Sequence, residues 1–228
     1  GILGEFMKIK TIIAALVMAS ISSLASAEIR MGISGAFTNF DATGTETLKS
    51  SSNKTTSGDV GDDVFIPTVW LELASQDNGW ALGIDWLPTT EIGSESKTRP
   101  DTDTDDASDT SGTNTAKADL DSHITYYISK QFGQSPFYVK LGMAQADVIT
   151  KENLATGTTY GDVTVDGIAM GAGIQLRSEN SWLLRAEYLY TDYDDLSLTG
   201  SADSDSVSNT VSADVDTYAV KISLGKAF

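Results

Sequence analysis

Residues 214–228 alternate. Tyr218, Val220, Ile222 and Leu224 are apolar, whereas Thr217, Ala219, Lys221, Ser223, Gly225 and Ala227 are small or polar. Successive residues of an extended chain face opposite sides, so this stretch predicts a strand with one apolar and one wet face. The same period recurs in residues 29–40, 64–75, 80–91, 119–132, 137–150, 163–177 and 182–193. Eight such stretches predict an all-β chain. Alternation alone does not choose a fold, because a half-buried strand of a soluble sandwich alternates too.

The connections add a second constraint. Residues 76–79, 133–136 and 178–181 are short and rich in turn formers, while 41–63, 92–118, 151–162 and 194–212 are long and polar. Short turns on one side and long loops on the other suit an antiparallel up-and-down transmembrane β-barrel of eight strands, its short turns in the periplasm. Aromatic residues agree. Trp80, Phe132, Phe137, Trp182 and Phe228 share the apolar phase beside the short turns. Phe37, Phe65, Trp86, Tyr190 and Tyr218 share it near the long loops. Two aromatic girdles around an apolar band are what a barrel wall presents to the two membrane interfaces. A soluble ligand-carrying barrel is the alternative, and it would bury the Val220, Ile222 and Leu224 face instead.

Residues 1–6 precede a methionine and read as an added segment. Residues 7–27 have a basic start, a short apolar core and the ending Ala25-Ser26-Ala27, which predicts an export signal peptide cleaved after Ala27. The apolar core is too short for a spanning helix. Residues 28–228 are then the barrel. Removing 1–27 leaves 13 basic and 31 acidic side chains, a formal charge of −18. That balance argues against nucleic-acid binding. There is no cysteine, in keeping with export.

The C-terminal residues Val220, Ile222, Leu224 and Phe228 resemble the closing strand of bacterial outer-membrane barrels, the strand that the barrel assembly machinery reads. Lys226 departs from that pattern, which has an apolar or aromatic residue there. Residues 182–190, Trp-Leu-Leu-Arg-Ala-Glu-Tyr-Leu-Tyr, resemble the Arg-x-Glu-Tyr strand of small OmpA/OmpX-like barrels, and 137–142 resembles their fifth strand. Phe65-Ile66-Pro67-Thr68 with Asp77-Asn78-Gly79 resembles the OmpW-like barrels, which are linked to small apolar solutes. The resemblance implies a bacterial outer-membrane location, reached through the periplasm, with outer-membrane lipid and lipopolysaccharide as surroundings.

The inward phase carries Arg30, Glu72, Asp85, Lys140, Arg177, Arg185, Glu187 and Lys221. Charges withdrawn from water persist when they are paired. A neutralising cluster of Glu72, Asp85, Lys140, Arg185, Glu187 and Lys221 is therefore expected, filling the interior as a polar core. Three loop regions, 41–63, 92–118 and 192–216, hold 18 acidic and 5 basic residues. Asp101, Asp103 and Asp105 are oxygen-rich like a calcium loop, but Asp106 and Gly112 stand where an EF-hand needs glycine and glutamate. A solvated acidic loop is the simpler reading, with divalent cations as a partner to test. Ser122 and His123 point to opposite faces, which argues against a nucleophile–base pair. No catalytic residue and no cofactor is expected. The expected function is a structural or surface-interaction role through the acidic loops. A narrow passive channel is the main alternative, and a lipid-modifying enzyme a remoter one.

Overall fold

A computed structural model describes residues 27–47, 55–88, 90–99, 112–153, 159–201 and 210–228. Most of the predicted leader and the aspartates Asp101, Asp103 and Asp105 lie outside these residues.

Ten strands are present among the described residues. They are β1 (Ala27–Thr47), β2 (Thr55–Ser75), β3 (Trp80–Leu87), β4 (Thr90–Arg99), β5 (Gly112–Gln131), β6 (Phe137–Asn153), β7 (Val163–Arg177), β8 (Trp182–Tyr193), β9 (Leu196–Thr199) and β10 (Thr210–Ala227). They make eight staves, because β3 and β4 both pair with β5, and β8 and β9 both pair with β10. The last strand pairs antiparallel with the first, which closes the barrel. Below the level of Trp86, closure leaves no edge, the requirement for a sheet in hydrocarbon.

The break between β3 and β4 has a local cause. Pro88 follows β3 and has no N–H to give a ladder. Above the Val69–Trp86 pair, among the described residues, β3 no longer follows β2, and β4 pairs with β5 alone. A seam therefore separates β2 from β4 on the long-loop side. The tight turns are fixed by residues with left-handed backbone. Gly79 has φ 73°, and a Cβ there would meet the Gln131 carbonyl oxygen at 2.4 Å. Ser181 adopts φ 63° without being glycine, held by its N–H to Ser178 O at 3.0 Å.

Following the register from Thr38 through Ala219, Leu189, Gly171, Lys140, Ser129, Ala81 and Ala74 returns to Glu28, ten residues below the start. This stagger tilts the staves. Ten residue steps from Tyr218 to Phe228, at about 3.3 Å each and a tilt near 40°, span about 25 Å, the height of an outer-membrane apolar band.

The apolar face looks outward. Val220, Ile222 and Leu224 are 53%, 50% and 48% exposed, opposite to what a soluble ligand carrier would do. Ile128 shares this phase yet is buried, flanked in register by Leu82 and Leu141. The strands also run further than the alternation indicates. Much of 41–63 and 92–118, expected as loop, belongs to β1, β2, β4 and β5. A ladder needs only backbone groups, so it continues beyond the apolar band, where neither face needs an apolar side chain.

Inside, side-chain size is matched across the lumen. Gly32 and Gly225 pair across β1 and β10, and the Trp70 ring fills the space their missing side chains leave. A Cβ on Gly225 would lie 2.3 Å from that ring. Gly225→Val should therefore displace Trp70 and destabilise the barrel by about 1–3 kcal/mol. The check is the temperature at which the compact form is lost on a denaturing gel, which should fall; an unchanged temperature would show that the slot is not tight.

Candidate functional site

Four layers occupy the lumen, and each follows from inward positions on neighbouring staves. At the short-turn rim, Arg177 Nη1 contacts Glu28 Oε1 and Oε2 at 2.8 and 2.9 Å, and Arg30 Nε contacts the same carboxylate at 2.5 Å. Next comes an apolar stopper of Trp70, Leu183 and Ala227, with Leu183 fully buried.

The ionic layer stands on the stopper. Arg185 meets Glu72 end to end, Nη1 to Oε1 at 2.7 Å and Nη2 to Oε2 at 2.5 Å. Its Nε donates to Gln175 Oε1 at 2.7 Å, and its guanidinium lies 4.2 Å from the Trp70 ring centre. Tyr127 Oη donates to Glu72 Oε1 at 2.8 Å. Lys140 Nζ donates to Glu187 Oε1 at 2.8 Å, and Tyr138 Oη donates to Glu187 Oε2 at 2.6 Å. Lys221 pairs with Asp85. Arg30 reaches the edge of the layer, 4.0 Å from Glu72. The structure thus brings Glu72, Asp85, Lys140, Arg185, Glu187 and Lys221 together as three buried pairs. Three acids and three bases make the layer neutral. Arg177 stays apart at the rim.

Glu28, Tyr127 and the roles of Gln175 and Tyr138 were not read from sequence. The signal was present for the tyrosines. An aromatic on a wet face must place its hydroxyl, and an inward carboxylate is the nearest acceptor.

The fourth layer corrects the expectation of a polar interior throughout. On the long-loop side of the ionic layer the wall is apolar: Ala36, Ile66, Leu87, Leu120, Ala146 and Ala219 are buried there, with Phe40, Val148, Val165 and Leu189 packed against them. They enclose a cavity of about 280 Å³. Asp85, Lys140 and Lys221 reach its lower part, and Thr38, Thr125, Thr191 and Thr217 add hydroxyls to the wall. His123 is inward, and its Nε2 lies 2.8 Å from Tyr193 Oη. This cup escaped the reading because its residues are mostly small or come from the ends of the alternating stretches.

Outside, the two aromatic sets fall at the two rims. Phe132, Phe137, Trp182 and Phe228 are exposed beside the short turns, and Trp80 is half-buried under Lys130, whose Nζ lies 4.9 Å from its ring centre. Phe37 and Phe65 pack at 5.3 Å, and Tyr190 and Tyr218 at 5.0 Å, near the other rim with the exposed Trp86. Lys226 faces outward over Trp182 and Phe228, at 5.5 and 5.9 Å. Its stem covers aromatic surface while its ammonium can reach water.

Above the long-loop rim the register sets Asp41, Asp216 and Asp192 side by side on three staves. Burial and the neighbouring carboxylates of Asp216, Asp214, Asp194 and Asp195 hold the Asp192 carboxyl above its ordinary range. Tyr190 Oη donates to Asp216 at 2.8 Å and offsets part of the repulsion.

No family model and no curated protein matches the chain. Solved structures do. The outer membrane protein OprG from Pseudomonas aeruginosa is similar at a TM-score of 0.55 and 15% identity, over 90% of this chain and 98% of that one. Outer membrane protein AlkL is similar at 0.47 and 11%, over 89% and 90%, and Neisserial surface protein A at 0.43 and 14%, over 88% and 97%. The fold is that of small bacterial outer-membrane barrels.

Two outcomes follow. Glu72→Ala strands the Arg185 charge and should lower stability by about 3–5 kcal/mol in urea unfolding, while Glu72→Met with Arg185→Met should recover most of it. Equal losses from both variants would mean the pair is not the origin of the cost. Asp192→Asn should stabilise by roughly 0.5 kcal/mol or less, solvent screening included. The folded state holds the Asp192 proton more tightly than the unfolded chain, so the repulsion acts above the raised pKa and is lost as pH falls through it. The gain should appear in melts at pH 8 in low salt and vanish at pH 3 or in high salt.

Proposed function

We propose that this chain is an integral barrel of a bacterial outer membrane that takes a small apolar solute into its upper lumen and does not conduct ions. The observation that carries this reading is the apolar cup on a neutral ionic floor. A cavity of about 280 Å³ with mostly apolar walls and few polar groups is what a small-molecule site requires. Beneath it, three ion pairs, two tyrosines and the Leu183–Trp70 stopper fill the cross-section. OprG lends this reading the barrel fold alone.

The membrane setting rests on the outward band and its two aromatic rims, with outer-membrane lipid and lipopolysaccharide around them. The lysines Lys130 and Lys226 at the short-turn rim suit lipid phosphates. The acidic rim and loops form a surface that repels anions and leaves neutral solutes free to approach.

The test offers naphthalene to the purified protein in lipid nanodiscs. The protein should retain it above the level of empty nanodiscs, and Ala146→Phe, which fills the cup, should abolish the excess. No excess in the unaltered protein would overturn the solute reading.

A further inference from the structure

We propose that the cup selects an uncharged molecule with a hydrocarbon body and one hydroxyl group, and that His123 and Tyr193 are its specificity-determining residues. This rests on the reading of the cup as a solute site.

The floor excludes charge. Asp85, Lys140 and Lys221 reach the cavity, and each is already matched: Lys221 by Asp85, and Lys140 by Glu187 at 2.8 Å. Lys140 also lies 4.2 Å from the Tyr127 ring centre. An ionised solute would lose its hydration and find no free counter-charge, which is costly.

Among the polar groups of the wall, His123 and Tyr193 form a directly bonded pair. His123 Nε2 and Tyr193 Oη are 2.8 Å apart, their rings edge to face at 6.2 Å. A neutral imidazole and a phenol each bring one donor and an acceptor. Their mutual bond uses one of each. In either tautomer one donor and one acceptor remain, one on His123 Nδ1 and the other on Tyr193 Oη. A hydroxyl is donor and acceptor at once, so it can bond to the remaining position on either ring, whichever tautomer is present. The surrounding Ile66, Leu87, Leu120 and Val165 accept hydrocarbon. A site whose polar groups expect a hydroxyl rejects the analogue lacking one, because those groups are then left unmet.

The experiment uses the protein in lipid nanodiscs with carbon-13-labelled alanine methyls. Ala36, Ala146, Ala169 and Ala219 line the cavity, whereas Ala172 and Ala186 are on the outward phase and report partitioning into lipid. The probes are 1-octanol, n-octane and octanoate. Octanol should shift the inward methyls at about tenfold lower concentration than octane, the worth of one hydrogen bond. Octanoate should shift them least. Tyr193→Phe should remove the octanol advantage and leave octane unchanged, and His123→Leu should do the same. Equal binding of octanol and octane, an unchanged ratio in both variants, or octanoate binding as well as octanol would overturn the hydroxyl assignment while the cup stands. Inward methyls unmoved by any probe would bring down the solute reading and this assignment together.

Discussion

Arg185 is the side chain around which the lumen is arranged. It is buried, permanently charged, and satisfied on every side: Glu72 end to end, Gln175 at Nε, and the Trp70 ring beneath. Burying such a group is costly unless its partners are already in place. Those partners come from β2 and β7, so the charge is matched only when the staves hold their register. Lys140 with Glu187 and Lys221 with Asp85 repeat the constraint across β6, β8, β10 and β3. A one-residue slip would turn each of these groups toward the apolar side. The ionic layer therefore acts as a register lock, whatever its net contribution to stability.

The lock also divides the lumen. Below it the glycines Gly32 and Gly225 give up their side-chain volume to Trp70. Above it most of the inward residues are small or apolar and leave a cavity. An eight-stranded barrel is narrow, so what it encloses depends on the size of the inward side chains. Large charged and aromatic groups fill one half of this barrel, and alanines leave space in the other. A closed floor and an apolar cup are two results of one distribution of side-chain sizes.

Much of this was legible in the sequence, for a physical reason. Lipid outside and polar groups inside impose period two on every spanning stretch, so strand number, phase and the aromatic rims could be read directly. The charged cluster was legible too, since charges that share an inward phase must find one another. Three things were not. The strands continue past the apolar band into Thr-, Gly- and Asp-rich segments, where side chains no longer report the ladder. The tyrosines Tyr127 and Tyr138 fall on the inward phase, but which carboxylate each meets depends on the stagger around the barrel. The cup was hidden because alternation gives direction and says nothing of whether opposing side chains touch. Ala36, Ala146 and Ala219 look like fillers along the chain and become a cavity wall only when brought together.

The central claim is that the Arg185–Glu72 layer closes the lumen. Current recording on single barrels in a planar lipid bilayer tests it most directly. The intact protein should hold a flat baseline, and a variant with Glu72 and Arg185 both reduced to alanine should show discrete openings. A sustained, defined open level in the unaltered protein would contradict the account.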